Sequence, residues 1–190
     1  MLFQPTPIPD LLIFEPTIRH DDRGYFFEGY NQRTWEAAGQ QVAFVQDNQA
    51  RSTRGVLRGL HYQVGDMAQA KLVRVVEGAV LDVAVDLRED SPAYGQWFSI
   101  LLSAENKRQL FVPRGFAHGY LVLSETAEFF YKCDNFYSKA HEGGIRYDDP
   151  QLGIDWQMEL SQVLVSEKDA VLPGLGEHRG VRGLSLPVNQ

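Results

Sequence analysis

The 190-residue chain is short of three things, and each shortage excludes a class of protein. Cysteine comes first: Cys133 stands alone, so no disulfide forms within the chain and a reducing compartment is expected. Long apolar runs are the second. None approaches the roughly 18 residues of a membrane span, and Met1-Leu2-Phe3-Gln4-Pro5 lacks the basic start and apolar stretch of a signal peptide. These absences point to a cytoplasmic protein with no membrane partner. Basic charge is the third, since 18 Lys and Arg stand against 25 Asp and Glu for a net charge of −7. That balance argues against a nucleic acid polymer as partner, but a single nucleotide needs only a few placed cations.

What is present reads as strands. Proline at positions 5, 7 and 9 keeps the opening extended. Residues 11–15 and 25–28 suit short strands around the charged turn Asp21-Asp22-Arg23-Gly24, and residues 31–38 form the first convincing helix, with Asn31 as N-cap and Gly39 at its end. Residues 42–48 then alternate, placing Phe44, Gln46 and Asn48 on one face. Residues 71–76 and 79–87, joined by Glu77-Gly78, read as a β-hairpin whose return strand carries Asp82 and Asp86 on a polar, structural face. Residues 97–102, 109–112, 119–123 and 128–133 complete the run. Short strands with no helices between them predict an all-β antiparallel sandwich or barrel. One domain over 1–190 is expected, its core at about 8–173 and an irregular Gly- and Pro-rich tail at 174–190.

One strand is too polar for a plain core. Val56-Leu57-Arg58-Gly59-Leu60-His61-Tyr62-Gln63 carries an arginine, a histidine and a glutamine, and Lys71 opens the next strand. Buried polar groups cost free energy unless something satisfies them, so this pair marks a site, with His61 as a base and Lys71 the cation beside it. A second histidine lies in Pro113-Arg114-Gly115-Phe116-Ala117-His118-Gly119. Pro-x-Gly-x-x-His resembles the second motif of the cupins, whose fold is a jelly roll. The first cupin motif, His-x-His, is degraded here to His61-Tyr62-Gln63, and two histidines fall short of the three or four ligands a metal wants.

A closer resemblance covers about residues 8–173. Asp22-Arg23-Gly24, Val45-Gln46-Asp47-Asn48, Arg58-Gly59-Leu60-His61-Tyr62-Gln63, Gln69-Ala70-Lys71-Leu72-Val73-Arg74 and Asp82-Val83-Ala84-Val85-Asp86-Leu87-Arg88 occur in this order. They are followed by the His118 motif, His141-Glu142-Gly143-Gly144-Ile145 and Ser166-Glu167-Lys168-Asp169. Together they resemble the dTDP-4-dehydrorhamnose 3,5-epimerases. The resemblance implies a double-stranded β-helix with an N-terminal extension, a dTDP-linked 4-keto-6-deoxy sugar as substrate, and inversion at C3 and C5 without cofactor or metal. It also implies a homodimer that exchanges strands and pocket residues. By the same resemblance His61 is the base, Asp169 its partner, Lys71 the cation at the enolate oxygen and Tyr131 the acid on the other face. Arg23 and Arg58 would meet the pyrophosphate, Glu28, Gln46, Asp47 and Asn48 the nucleotide end, and Tyr137 the thymine. His118, Glu142 and Lys168 fall at further ligand positions.

Blander readings accompany these. A strand histidine can be a satisfied structural residue, Tyr131 can be aromatic packing, and Ser166-x-x-Asp169 resembles a capping box whose carboxylate only caps a helix. Strict alternation also sets Arg58 and His61 on opposite faces, so an irregularity at Gly59 is expected. Tyr120 in place of a usual Phe, Ala50 in place of a common Ser, and Tyr147-Asp148 in place of Trp-Asn are departures expected to bear on packing. The rivals to a 3,5-epimerase are a single-site epimerase, a metal-dependent cupin enzyme and a sugar-nucleotide binder without catalysis.

Overall fold

Having no helix available, the proline-studded opening pairs as β1 (Phe3–Pro5) with β2 (Leu12–Phe14) at the edge of a sheet. A computed structural model describes residues 2–182, so the part of the expected tail at 183–190 lies outside the described residues. β3 (Arg19–Asp21) and β4 (Gly24–Phe26) form a separate, exposed two-stranded arm. In α1 (Gln32–Ala37) the Asn31 Oδ1 accepts from the backbone N–H of Arg33 and Thr34, as an N-cap should. Its Trp35 is fully buried among Phe14, Val42, Leu72 and Phe111, which seals one outer face of the fold.

The rest is two antiparallel sheets face to face. β5 (Gln46–Thr53), β7 (Lys71–Glu77), β10 (Gln109–Val112) and β12 (Thr126–Cys133) join β1 and β2 in the order β1-β2-β10-β7-β12-β5. β6 (Leu57–Gln63), β8 (Ala79–Asp86), β9 (Trp97–Ser103), β11 (Phe116–Val122) and β13 (Glu142–Gly144) form the second, β13-β6-β11-β8-β9. This is the expected jelly roll. Val73, Val75, Leu110, Phe129, Val80, Val122 and their neighbours fill the space between the sheets. The outer face of the second sheet, through Leu81, Val83 and Val85, lies under Ile145, Leu152, Trp156 and Val181.

Two expectations need correction. The strand placed at residues 42–48 begins only at Gln46 and runs on to Thr53. Before it, Val42 and Phe44 are drawn into the Trp35 cluster and the Tyr30 hydroxyl donates to the Val42 carbonyl, so packing overrides the ladder. The hairpin across Glu77-Gly78 is not one. β7 pairs with β10 and β12, while β8 pairs with β11 and β9, so Gly78 is a corner between sheets. Its φ is +76°, and a side chain there would collide with the Thr126 carbonyl. Local alternation shows that a strand returns, but not which sheet receives it.

Residues 174–182 are irregular, as expected, yet held. Val181 is buried and bridges Arg88, and the Tyr62 hydroxyl donates to the Arg179 carbonyl at 2.8 Å. Asp86 is fully buried and accepts from Arg88 and Ser91, a structural use in keeping with its reading. A short α2 (Glu167–Ala170) brings the end of the chain back against β6.

Candidate functional site

The irregular strand holds the site together. His61 of β6 pairs with His118 of β11, and Arg58 with Tyr120, so three steps along one strand match two along the other. That extra residue is a bulge, and it turns Arg58 and His61 to the same side, as the sequence required. Gly59 permits it: its φ is +128° and a Cβ would lie 2.6 Å from Gly119 Cα. Arg58 and His61 both face a cavity of about 510 Å³ between the sheets, shared with Lys71, His118, Tyr131 and Asp169.

Asp169 shows what the Ser166 motif does. Ser166 Oγ accepts the Asp169 N–H at 3.1 Å, so half of a capping box forms. The carboxylate itself does not cap. Its Oδ1 lies 2.7 Å from His61 Nε2 and its Oδ2 accepts the Gly59 N–H at 3.3 Å. Burial pushes the Asp169 carboxyl up, but the His61 hydrogen bond and charge, with the Gly59 and Ser166 contacts, hold it below the usual carboxylate range. The pair leaves His61 Nδ1 without a hydrogen bond among the described residues.

The opposite wall is β7 and β12. Lys71 Nζ donates to the His61 carbonyl at 3.5 Å and stands 6.0 Å from the Tyr131 ring centroid. Burial lowers the Lys71 pKa despite the opposing pull of Cys133, Asp82 and Glu142. Burial likewise pushes the Tyr131 hydroxyl up to about 12, so at neutral pH it is a proton donor. His118 Nε2 faces both Asp82 oxygens at 3.0 and 3.1 Å, with Asp82 fully buried. The two histidines therefore each hold a carboxylate of their own. Among the described residues no three His, Cys, Asp or Glu side chains gather in a way that could hold a metal ion.

Around this centre the other expected residues divide. Gln46 Oε1 accepts the Tyr137 N–H at 3.0 Å, Gln46 Nε2 donates to Asn48, and the Tyr137 hydroxyl donates to Glu142, which pairs with Lys168 at 2.6 Å. The Glu142 carboxyl is raised by burial and lowered more by the Lys168 hydrogen bond and charge, to a net value below normal. These five make one connected rim. Asp47 does not join it: alternation along β5 turns it outward, where it pairs with Lys132 at 2.9 Å. Arg23 and Glu28 are also elsewhere. Arg23 pairs with Asp21 on the exposed arm, and Glu28 accepts from Asn31 in a different hollow.

Two departures read as packing changes prove to line the cavity, namely Ala50 and Tyr120. Ser52 was missed altogether. It accepts from Arg58 Nε at 3.0 Å, and alternation from Gln46 through Asn48 would have shown it had the strand been extended past 48.

Comparison with known proteins bears on the same residues. The family model for dTDP-4-dehydrorhamnose 3,5-epimerase matches residues 5–177. A curated relative of that name from Pseudomonas aeruginosa is 59% identical over 85% of this chain and 89% of its own. The crystal structure of the Elizabethkingia anophelis dTDP-4-dehydrorhamnose 3,5-epimerase is 52% identical with a TM-score of 0.88, covering 92% of this chain and 96% of that one. The Legionella pneumophila dTDP-6-deoxy-D-glucose-3,5-epimerase, solved with dTDP-4-keto-L-rhamnose, is 49% identical at TM-score 0.88, with 92% and 93% covered.

Proposed function

The chain belongs to the dTDP-4-dehydrorhamnose 3,5-epimerase family, and from that premise we propose how its residues invert C3 and C5 of dTDP-4-dehydro-6-deoxyglucose. The protein is a carbohydrate isomerase of dTDP-rhamnose biosynthesis. Both reacting carbons flank the C4 ketone, so each proton leaves as its electrons move into the carbonyl and form an enolate. His61 takes the proton. Asp169 orients the imidazole and stabilises the imidazolium that results. Lys71 donates to the enolate oxygen, and its depressed pKa makes it a stronger donor there. Tyr131, protonated well above neutral pH, returns a proton from the opposite face and completes the inversion. The sequence then repeats at the other carbon. The observation that carries this reading is the 2.7 Å His61–Asp169 pair placed in one cavity with Lys71 and Tyr131.

At the other end, Arg58 meets the pyrophosphate, where a planar fork suits the anion, and Tyr137 offers its exposed ring to the thymine. Gln46, Asn48, Glu142 and Lys168 supply further contacts there, and His118, in the cavity beside His61 and Lys71, contacts the sugar. Arg23, Glu28 and Asp47 lie away from the cavity of their own chain. The exposed aromatics Tyr25 and Phe26 on the same arm favour a homodimer in which Arg23 and Glu28 of one copy reach the pocket of the other. The whole chain works as one cytoplasmic domain with no cofactor. Proton NMR of the reaction in deuterium oxide tests the reading. Deuterium should enter at both C3 and C5; label at one carbon alone would make this a single-site epimerase. Turnover should also survive chelation, and its loss would favour the metal-dependent rival.

A further inference from the structure

Of the arginine, histidine and glutamine that make β6 polar, only Gln63 has no part in the proposed reaction. It is 4% exposed, and both ends of its amide are used. Its Oε1 accepts the Ser138 N–H at 2.5 Å, and its Nε2 donates to the carbonyls of Phe136 at 3.0 Å and Met67 at 2.6 Å. Phe136 and Ser138 flank Tyr137, whose own N–H goes to Gln46. Gln63 also stands directly opposite Glu142 in the β6–β13 pair, and Glu142 accepts from the Tyr137 hydroxyl at 3.2 Å. One cross-strand pair therefore holds Tyr137 at both ends, backbone and ring tip, while the residue stays 55% exposed.

The stretch around Tyr137 is tethered in the same way. Residues 134–138 follow β12 with neither helix nor ladder, so their backbone groups have no repeating partner. Gln69 Nε2 donates to the Asn135 carbonyl at 2.7 Å, and Asn135 Oδ1 accepts the Phe136 N–H at 2.9 Å. Fixing a long glutamine side chain gives up rotamer freedom, and here that cost falls on a loop whose aromatic ring faces solvent. We propose that Gln63 is a positioning residue for nucleobase recognition: it presets Tyr137 as a fixed platform on which the base of the dTDP-linked ligand stacks. The inference rests on Tyr137 as the nucleobase contact. A ring fixed before binding has less freedom to lose when the base arrives, so the tether adds affinity at the base and leaves the diphosphate and the reacting sugar alone.

Calorimetric titration with dTDP and with inorganic pyrophosphate, on wild type, Gln63→Met, Tyr137→Ala and the double variant, tests the tether alongside kcat and KM. Methionine keeps the length of the side chain and removes both amide functions. Gln63→Met should bind dTDP about tenfold more weakly, with pyrophosphate binding unchanged. Its KM should rise while kcat stays within about twofold of wild type. In the Tyr137→Ala background the same substitution should have no further effect. Unchanged dTDP affinity, an equal loss for pyrophosphate, a fall in kcat, or a loss that adds to that of Tyr137→Ala would each overturn the proposal. A lower melting point without the selective loss would do the same, since a merely structural glutamine gives that too. Should Gln63→Met not fold, Gln69→Met releases the Asn135 carbonyl of the same loop. It should weaken dTDP binding by a smaller factor with pyrophosphate unaffected, and unchanged dTDP binding would overturn the tether. Tyr137→Ala separates the two levels. If it leaves dTDP binding intact, the assignment of Tyr137 fails; if it weakens binding while Gln63→Met does not, only the tether fails.

Discussion

The reacting end and the nucleotide end of this molecule are built differently. His61, Lys71, His118 and Tyr131 stand on strands of the two packed sheets, and Asp169 is locked between Gly59, Ser166 and His61. Their partners are already in place before any ligand arrives. The residues proposed or expected for the nucleotide are exposed side chains paired with neighbours of their own chain: Arg23 with Asp21, Asp47 with Lys132, Lys168 with Glu142. On the proposed roles, the reaction centre is preorganised within one chain, whereas recognition requires charged groups to leave their present partners. Preorganisation is where rate comes from, because groups fixed before the reaction need no reorganisation during it.

The largest effects should therefore come from the interior. His61→Asn removes the base and should lower kcat by about 10³ or more, with dTDP affinity measured by calorimetry within about twofold of wild type. Next, Lys71→Met should cost about 10²–10³ in kcat, read by coupled assay. A pH profile sharpens the point. Because burial lowers the Lys71 pKa, the alkaline limb should begin below the roughly 10.4 of an ordinary lysine.

Asp169→Asn should reduce kcat by about 10²-fold through loss of imidazole orientation. Its stability signature has a fixed sign. The folded-state pKa of Asp169 is lowered, so its stabilising share is full above the unfolded value of about 3.9 and fades as pH falls through the lower folded value. Denaturant midpoints of wild type and Asp169→Asn should accordingly differ at pH 6 and converge toward pH 2. Equal spacing at both would remove the lowered Asp169 pKa from the account.

The smallest effect belongs to the arm. Arg23→Ala should raise KM about tenfold with kcat nearly unchanged. Mixed dimers would sharpen this further. Refolding Arg23→Ala chains with His61→Asn chains should restore one site with both residues intact, and hence normal KM in a fraction of sites. No such fraction would place Arg23 outside the partner's pocket.

How far the sequence already carried these features follows the same division. The alternating strands made an antiparallel sandwich or barrel readable, the motif resemblance narrowed it to a jelly roll, and the conflict between Arg58 and His61 pointed to the irregularity at Gly59. The Glu77-Gly78 corner was not readable, because strand periodicity is a property of one strand while sheet membership is a property of two. Where Asp47 points follows from the same limit: it came with Gln46 and Asn48 as a motif, yet a strand turns every second residue away, and Asp47 faces outward to Lys132. The Ser52–Arg58 contact joins β5 to β6 and is a property of neither strand's pattern alone.

The central claim is that His61 and Tyr131 serve opposite faces of one enolate, and Tyr131→Phe in deuterium oxide tests it most directly. Proton NMR of recovered sugar nucleotide should show deuterium at the reacting carbons with configuration retained, since His61 still removes and returns protons while the opposite donor is gone. His61→Asn should show neither exchange nor inversion. Inversion at a near-normal rate in Tyr131→Phe, or exchange persisting in His61→Asn, would contradict the assignment of the two faces.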